Sequence, residues 1–385
     1  MKRRMNKRMA AATLAGAMVL SMNGMAWAAD ETEIPFSKEV SADLNTYAPN
    51  TNFEFRLSNG TGGDKEFADG EAESGKVKIK VSSGVDGGLY FGDKNNKKTT
   101  STLAFNPDMT PENNNQGYNS YINTGTINVD VDVFEETGVY EYILQETIAQ
   151  YDGITYDEQK IHIYLSVGNN DAGNGKRILS FWATSENDKG VENTATKLDG
   201  LNFINKYGYN DTEDKIHEFK VMKIVSGNQG EKTRDFNFTI TIDGDDTDKT
   251  DGGKEKYKVV KKTIEVSGEE TIETIIDEDI ITDATAATFT LQHNQILHIY
   301  GLSEKDTYTV IENDANADGY TTDVTGNATG SLTDDETTVV FENNKNVGPA
   351  TGVAMTFAPY VLLVAAAGGL GAVVLGKKKR EDDEI

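Results

Sequence analysis

The chain of 385 residues contains no cysteine. A disulfide framework, a zinc ribbon and a thiol nucleophile are therefore excluded. Histidine is scarce as well: the four present, His162, His217, His293 and His298, fall into no metal-binding or catalytic spacing. Basic residues are outnumbered, 37 against 63 acidic ones, and the resulting net charge of −26 repels phosphate backbones and argues against nucleic-acid binding. No glycine-rich phosphate loop occurs, no cofactor is expected, and turnover catalysis has no candidate triad or metal site. Apolar and aromatic residues are plentiful. A hydrophobic content of 37%, with 16 Tyr and 15 Phe, suffices for β cores and separates this chain from a disordered acidic tail. The length suits two or three domains.

The charge is unevenly spread, with five cations and no acid in residues 1–29 and four of each sign after Val353, which leaves −31 between. Lys2, Arg3, Arg4, Lys7 and Arg8 precede an apolar run from Met9 to about Leu20, and Ala26-Trp27-Ala28 then has the small-x-small form of a signal-peptidase site. Residues 1–28 are thus expected to be a secretory signal, since a buried helix would have to place five cations without a counter-charge. At the other end, Val353 to Gly376 runs 24 residues without a charge. As a helix this measures about 36 Å, against a hydrocarbon core of about 30 Å. Lys377, Lys378, Lys379 and Arg380 follow within the charged tail 377–385, and such a cluster stays cytoplasmic, which places the acidic bulk outside.

Before that span stands Val347-Gly348-Pro349-Ala350-Thr351-Gly352. Pro-x-Thr-Gly, an apolar span and a short basic tail, here 347–385, resemble the cell-wall sorting signal of Gram-positive surface proteins. The resemblance implies cleavage by a sortase between Thr351 and Gly352, transfer of the Thr acyl group to an amine, membrane association only before sorting, and attachment to a peptidoglycan precursor. Gly348 stands where that family usually has leucine, which leaves the sortase class open. A Pro/Gly linker before an ordinary anchor is the plainer reading of the same residues.

Between the ends, period-2 alternation dominates: Val77, Ile79, Val81; Ile127, Val129, Val131, Val133; Ile161, Ile163, Leu165, Val167; Phe236, Phe238, Ile240, Ile242. Such runs, broken by Gly, Asn and Asp clusters, predict an all-β fold of antiparallel sandwich strands with one face buried. A polar stretch at 208–215 reads as a linker between domains at 30–207 and 216–346. Gly92 to Asn119 reads as a long surface loop.

Side chains on a strand alternate between faces, so the parity of each polar residue can be checked against its apolar neighbours. Ile34, Phe36, Lys38 and Val40 share a face, as do Phe219, Val221, Lys223 and Val225. Tyr140, Tyr142, Leu144 and Glu146 share another, as do Tyr308, Val310 and Glu312. Leu201, Phe203 and Asn205, then Val339, Phe341 and Asn343, close each domain. The order Lys, Glu, Asn on an apolar face therefore occurs twice. A single inward Lys or Glu is usually a snorkelling or strand-end side chain, but a repeated set needs a common cause. Desolvation lowers a lysine pKa and raises that of a carboxyl, so in a buried pair the proton can sit on Glu and leave a neutral amine. That amine can attack the Asn carboxamide, with Glu146 and Glu312 as proton shuttles, to give a Lys-Asn isopeptide bond in a single turnover.

These residues, in the settings Phe36-Ser37-Lys38-Glu39-Val40 and Val221-Met222-Lys223-Ile224-Val225, Tyr140-Glu141-Tyr142 leading to Glu146, Tyr308-Thr309-Val310-Ile311-Glu312, Phe203-Ile204-Asn205 and Phe341-Glu342-Asn343, resemble those of sortase-assembled pilins with internal isopeptide bonds, particularly the two-domain streptococcal major pilins. The resemblance implies tandem immunoglobulin-like β-sandwiches, Lys38–Asn205 and Lys223–Asn343 cross-links, and the role of a pilus shaft subunit whose partners are sortase, identical subunits and minor pilins. It also implies an inter-subunit lysine ahead of the strand bearing the first Asn. Lys197 is the nearest match, with Lys189 and Lys206 close by. A monomeric wall-anchored adhesin using the same domains as a stalk is the alternative. Asp314 to Gly319 begins like a calcium loop, but its twelfth position is Thr325 rather than Glu, and a hairpin turn is the simpler reading. The Asp-rich run Asp243 to Asp251 fits no ligand spacing and reads as a solvated loop.

Overall fold

The computed structural model describes residues 33–347 except 69–75, 115–117, 150, 152, 187–196, 209–216, 245–253, 268–269, 304–305 and 333–335. The expected signal peptide, most of the linker and the sorting signal with Pro349, Thr351 and Gly352 lie outside the described residues, as does most of the Asp-rich run. The described chain divides into two compact units. Segments up to Leu44, Asn50–Gln150 and Ile154–Tyr207 form the first, and Asn45–Pro49, Tyr151–Gly153 and the residues from Gly208 onward form the second.

Both units are all-β, as the alternation predicts. The first contains β1 (Glu33–Asp43), β2 (Thr51–Asn59), β3 (Gly63–Ala68), β4 (Lys76–Ser83), β5 (Leu89–Tyr90), β6 (Thr100–Phe105), β7 (Glu112–Asn114), β8 (Tyr118–Val129), β9 (Gly138–Glu146), β10 (Ile154–Thr155), β11 (Lys160–Asn169), β12 (Lys176–Ser185) and β13 (Asn202–Tyr207). One sheet has the order β10-β13-β1-β8-β5 and the other β12-β11-β9-β2-β6, with β4 also pairing with β9 and β3 with β4. Rings from the two sheets meet in the core, Phe36 of β1 against Phe55 of β2 at 5.0 Å and Phe55 against Phe203 of β13 at 5.2 Å. Edge-to-face and tilted pairs at such distances are favourable beyond the area they bury.

The second unit contains β14 (His217–Ser226), β15 (Phe236–Asp243), β16 (Lys256–Ser267), β17 (Glu270–Thr282), β18 (Ala287–Leu291), β19 (Gln295–Leu302), β20 (Thr307–Glu312), β21 (Thr321–Thr325), β22 (Thr329–Ser331) and β23 (Glu336–Asn344). Its sheets have the orders β17-β16-β19-β14-β23-β21 and β18-β15-β20-β22. They share one core in which Phe219, Val221, Phe238, Ile240, Val310 and Val339 are all buried.

One rule of topology recurs. The first strand of each unit lies parallel to its last, β1 beside β13 and β14 beside β23. Since these strands stand at opposite ends of their unit's sequence, any bond between them closes nearly the whole unit.

Three expectations require correction. Gly92 to Asn119 is not a continuous loop, because β6 pairs antiparallel with β2 and buries Leu103 and Phe105 while Thr102 and Ala104 stay exposed. This alternation is only two apolar residues long and is flanked by polar ones, so it is faint in sequence. The run from Ile127 to Val133 is not one strand. Asp130 accepts the Asp132 N–H at 3.2 Å and caps a 3-10 turn at Val131–Val133, which ends β8. Finally, Asp314 to Gly319 is no hairpin turn: it follows β20 of one sheet and leads into β21 of the other, and the Asp318 carboxylate is taken by the Arg234 guanidinium at 2.5 Å.

Candidate functional site

Both units bring Lys, Glu and Asn together in the core. Opposite β1, Lys38 faces Phe203 and Val40 faces Asn205. Opposite β14, Lys223 faces Phe341 and Val225 faces Asn343. In each pair the Asn is therefore displaced by the same two positions from the Lys along parallel strands, and two positions on a strand preserve the face. The Glu comes from the facing sheet in both units, where Glu146 of β9 stands beside Phe55 and Glu312 of β20 beside Phe238. Lys38, Asn205, Lys223 and Asn343 have no exposed surface, and Glu146 and Glu312 are 5% exposed.

A single carboxylate bridges each pair. The Lys38 Nζ donates to Glu146 Oε2 at 2.7 Å, and the Asn205 Nδ2 donates to Glu146 Oε1 at 2.7 Å. In the second unit the Lys223 Nζ lies 3.1 Å from each Glu312 oxygen, and the Asn343 Nδ2 donates to Glu312 Oε1 at 2.5 Å. Burial, opposed by the neighbouring Glu146, pulls the Lys38 ammonium down to about 8. Burial against Glu312 likewise brings Lys223 to about 8. Burial pushes the Glu146 carboxyl up, against the pull of Lys38 and Asn205. A lowered amine beside a raised acid favours transfer of the proton from nitrogen to oxygen.

Sequence parity did not single out the aromatic floor of the sites. Lys38 Nζ sits 5.0 Å from the Phe53 ring centroid, and Lys223 Nζ sits 4.4 Å from that of Phe236. Phe53-x-Phe55 and Phe236-x-Phe238 occupy corresponding strands, so the doubled Phe-x-Phe was the available signal. The rings exclude water while their faces accommodate the cation.

Asp157 was also missed. Its backbone N–H donates to Asn205 Oδ1 at 2.8 Å, which fixes the amide with its oxygen toward Asp157 and its nitrogen toward Glu146. Its carboxylate accepts the Ile204 N–H at 3.0 Å and the Gln159 N–H at 3.1 Å, holding 157–159 against β13. Asn343 Oδ1, by contrast, is buried and has no hydrogen-bond partner among the described residues.

A separate polar cluster lies in the first unit. Glu141 accepts from Lys65 Nζ at 2.9 Å, Tyr164 Oη at 3.2 Å and the Gly62 N–H at 2.7 Å, with His162 Nδ1 at 2.8 Å. Burial would raise this carboxyl, but His162, Lys65 and the Gly62 N–H together hold it down to about 2. Gly60 is required beside it, since a Cβ there would fall on the Glu141 side chain. No group of His, Asp and Glu suited to a metal ion occurs among the described residues. Lys197 is exposed, just before β13, with its Nζ 5.8 Å from the Trp182 ring.

Comparison with known proteins places these features in context. A family model described as a domain of unknown function (DUF7601) matches residues 217–345, in the second unit. A pilin of Streptococcus pyogenes serotype M1 is 28% identical over 294 residues, which cover 72% of this chain and 78% of the pilin. The crystal structure of the major pilin from Streptococcus pyogenes superposes with a TM-score of 0.51 at 20% identity, over 83% of this chain and 100% of that one. A mutant of that pilin gives the same TM-score at 21% identity, with the same coverage. The chain thus resembles streptococcal pilins in sequence and shares the fold of the major pilin.

Proposed function

We propose that this chain is the shaft subunit of a Gram-positive surface pilus, a structural protein in which each immunoglobulin-like sandwich is locked by a self-formed Lys-Asn bond. The observation that carries the reading is the doubled site: the same three residue types, buried, with the same two-position offset between parallel first and last strands and one carboxylate bridging amine and amide. The sequence likeness to a streptococcal pilin supports the pilus role.

The chemistry follows from the arrangement. Glu146 takes a proton from Lys38, and the neutral Nζ attacks Cγ of Asn205. The tetrahedral centre carries its negative charge on Oδ1. Glu146 then gives that proton to Nδ2 and takes the second proton from the now cationic Nζ, the Cγ–Nδ2 bond breaks, and the nitrogen leaves as ammonia with Glu146 left protonated. An amine and a primary amide become a secondary amide and ammonia, with no oxidant or cofactor consumed. Lys223, Glu312 and Asn343 follow the same course. Holding the reactants in a dry site supplies the rate that the free groups lack in water.

Assembly rests on the sorting signal read from the sequence. A sortase cleaves between Thr351 and Gly352 and passes the Thr351 acyl group to Lys197 of the next subunit, or to peptidoglycan at the base. Tension entering at Lys197 then runs along β13 to Asn205, through the linker to Lys223, and across the second bond to Asn343, which bypasses most of the second unit. Cell-wall extracts probed for this chain test the proposal. A high-mass ladder that Lys197→Ala abolishes is expected, whereas a single anchored band would favour the monomeric adhesin.

A further inference from the structure

The two sites differ at the carbonyl, and the difference is built into the sheets. In the first unit β10 pairs with β13 only through Ile154↔Tyr207 and Thr155↔Lys206. The chain then leaves the ladder, and the Asp157 N–H points at the side chain of Asn205 instead of at a backbone carbonyl. The Asp157 carboxylate holds this segment by accepting from Ile204, and Gln159 Nε2 adds a bond to the Asn202 carbonyl at 2.8 Å. In the second unit the equivalent flank of β23 is covered by β21, a regular ladder that runs past the site with Thr322 opposite Asn343. The Asn343 oxygen is left buried and unpartnered among the described residues.

We propose that the Asp157 backbone N–H is an oxyanion donor for cross-linking in the first unit, that the described residues of the second unit offer no such donor, and that the Lys38–Asn205 bond consequently forms ahead of the Lys223–Asn343 bond. The proposal rests on the isopeptide reading above and deepens it. When Lys38 adds to Cγ, charge develops on the atom that Asp157 already contacts, and a preorganised donor at that position stabilises the transition state more than the starting amide. Glu146 is left with proton transfer alone, since the fixed amide turns its leaving nitrogen toward Glu146. In the second unit Glu312 likewise meets the leaving nitrogen, and the Asn343 oxygen has no such donor among the described residues. Loss of one such donor typically slows a reaction about 10²–10³-fold.

The test follows both bonds in one chain, so each unit serves as the other's control. The mature chain is made by cell-free synthesis and quenched in acid at intervals, and the two cross-linked peptide pairs are quantified by mass spectrometry. In the unaltered chain the Lys38–Asn205 pair should appear first. Asp157→Pro, which removes the N–H, should slow that pair about 10²-fold and leave the Lys223–Asn343 pair unchanged. Asp157→Asn, which keeps the N–H and an acceptor for Ile204, should stay within a few-fold of the unaltered chain. An unchanged rate in Asp157→Pro, or equal slowing by Pro and Asn, would overturn the proposal. Should Asp157→Pro fail to fold by circular dichroism, the order in the unaltered chain decides, and simultaneous formation of the two bonds counts against it. If neither bond forms in the unaltered chain, the isopeptide reading itself fails. Both bonds forming together without any effect of Asp157 defeats only this inference.

Discussion

Replacing Glu312 by alanine should damage the second unit in two separable ways. The first is loss of the cross-link, because Glu312 is the carboxylate that accepts from the Lys223 Nζ and would take its proton. Lys223 and Asn343 are 120 positions apart, and closing a loop of that length removes about 5 kcal/mol of unfolded-chain entropy on the disulfide model. The second is the stranding of Lys223, which has no exposed surface. Breaking a buried ion pair by removing one partner costs about 3–5 kcal/mol. The combined loss is of the order of the whole stability of a typical domain, about 5–15 kcal/mol. The double variant Lys223→Met/Glu312→Leu separates the effects, since it removes the cross-link without leaving a charge behind and should lose only the first. Differential scanning calorimetry with intact mass on each sample is the assay. With roughly 3–6 °C of melting temperature per kcal/mol for a unit of this size, the double variant should melt roughly 15 °C or more below the cross-linked protein, and Glu312→Ala lower still. The reasoning is refuted if Glu312→Ala retains the cross-link, or if it loses the cross-link and melts within a few degrees of the unaltered chain.

Other perturbations probe the surroundings. Phe53→Ala removes the ring beneath Lys38 Nζ and should lower the stability of the first unit by about 3–5 kcal/mol in chemical denaturation of a Glu146→Ala background, where no cross-link masks the loss. Glu141→Ala leaves Lys65 and His162 without their shared carboxylate, and limited proteolysis should then cut at the β3–β4 hairpin while β1 and β13 remain protected. His293 accepts the Val225 N–H at 3.0 Å, and burial together with Lys232 lowers its pKa from 6.5 to about 4. Between pH 6.5 and 4 the unfolded chain therefore binds a proton that the folded chain refuses, so His293 contributes stability above pH 6.5 that is lost as the pH falls toward 4. Melting curves at pH 7 and pH 4.5 should show a larger acid-induced drop in the unaltered chain than in His293→Gln.

Much of the site could be read from parity. Lys38, Glu146, Asn205 and their counterparts sit on runs whose alternation is unbroken, so a period of two carries each side chain into the core without knowledge of the strand order. What parity could not supply was the second surface of a sheet. Glu141 alternates with Tyr140 and Tyr142 and so points away from the sandwich core, yet it is fully buried, because the β3–β4 hairpin folds over that outer face and packs Phe67 and Val81 around Tyr164. Asp157 escaped for another reason: its backbone N–H makes the contact, and no residue type announces a backbone donor. The β6 strand was hidden by its brevity, and the crossover at Asp314 to Gly319 by the fact that a turn between two strands looks the same in sequence whether or not the strands share a sheet.

That two covalent bonds close the two units is tested by the intact mass of the chain produced without residues 1–28 and 347–385. A mass lower than that of the sequence by two molecules of ammonia is expected, with Glu146→Ala and Glu312→Ala each restoring one. A chain that carries its full sequence mass would contradict it.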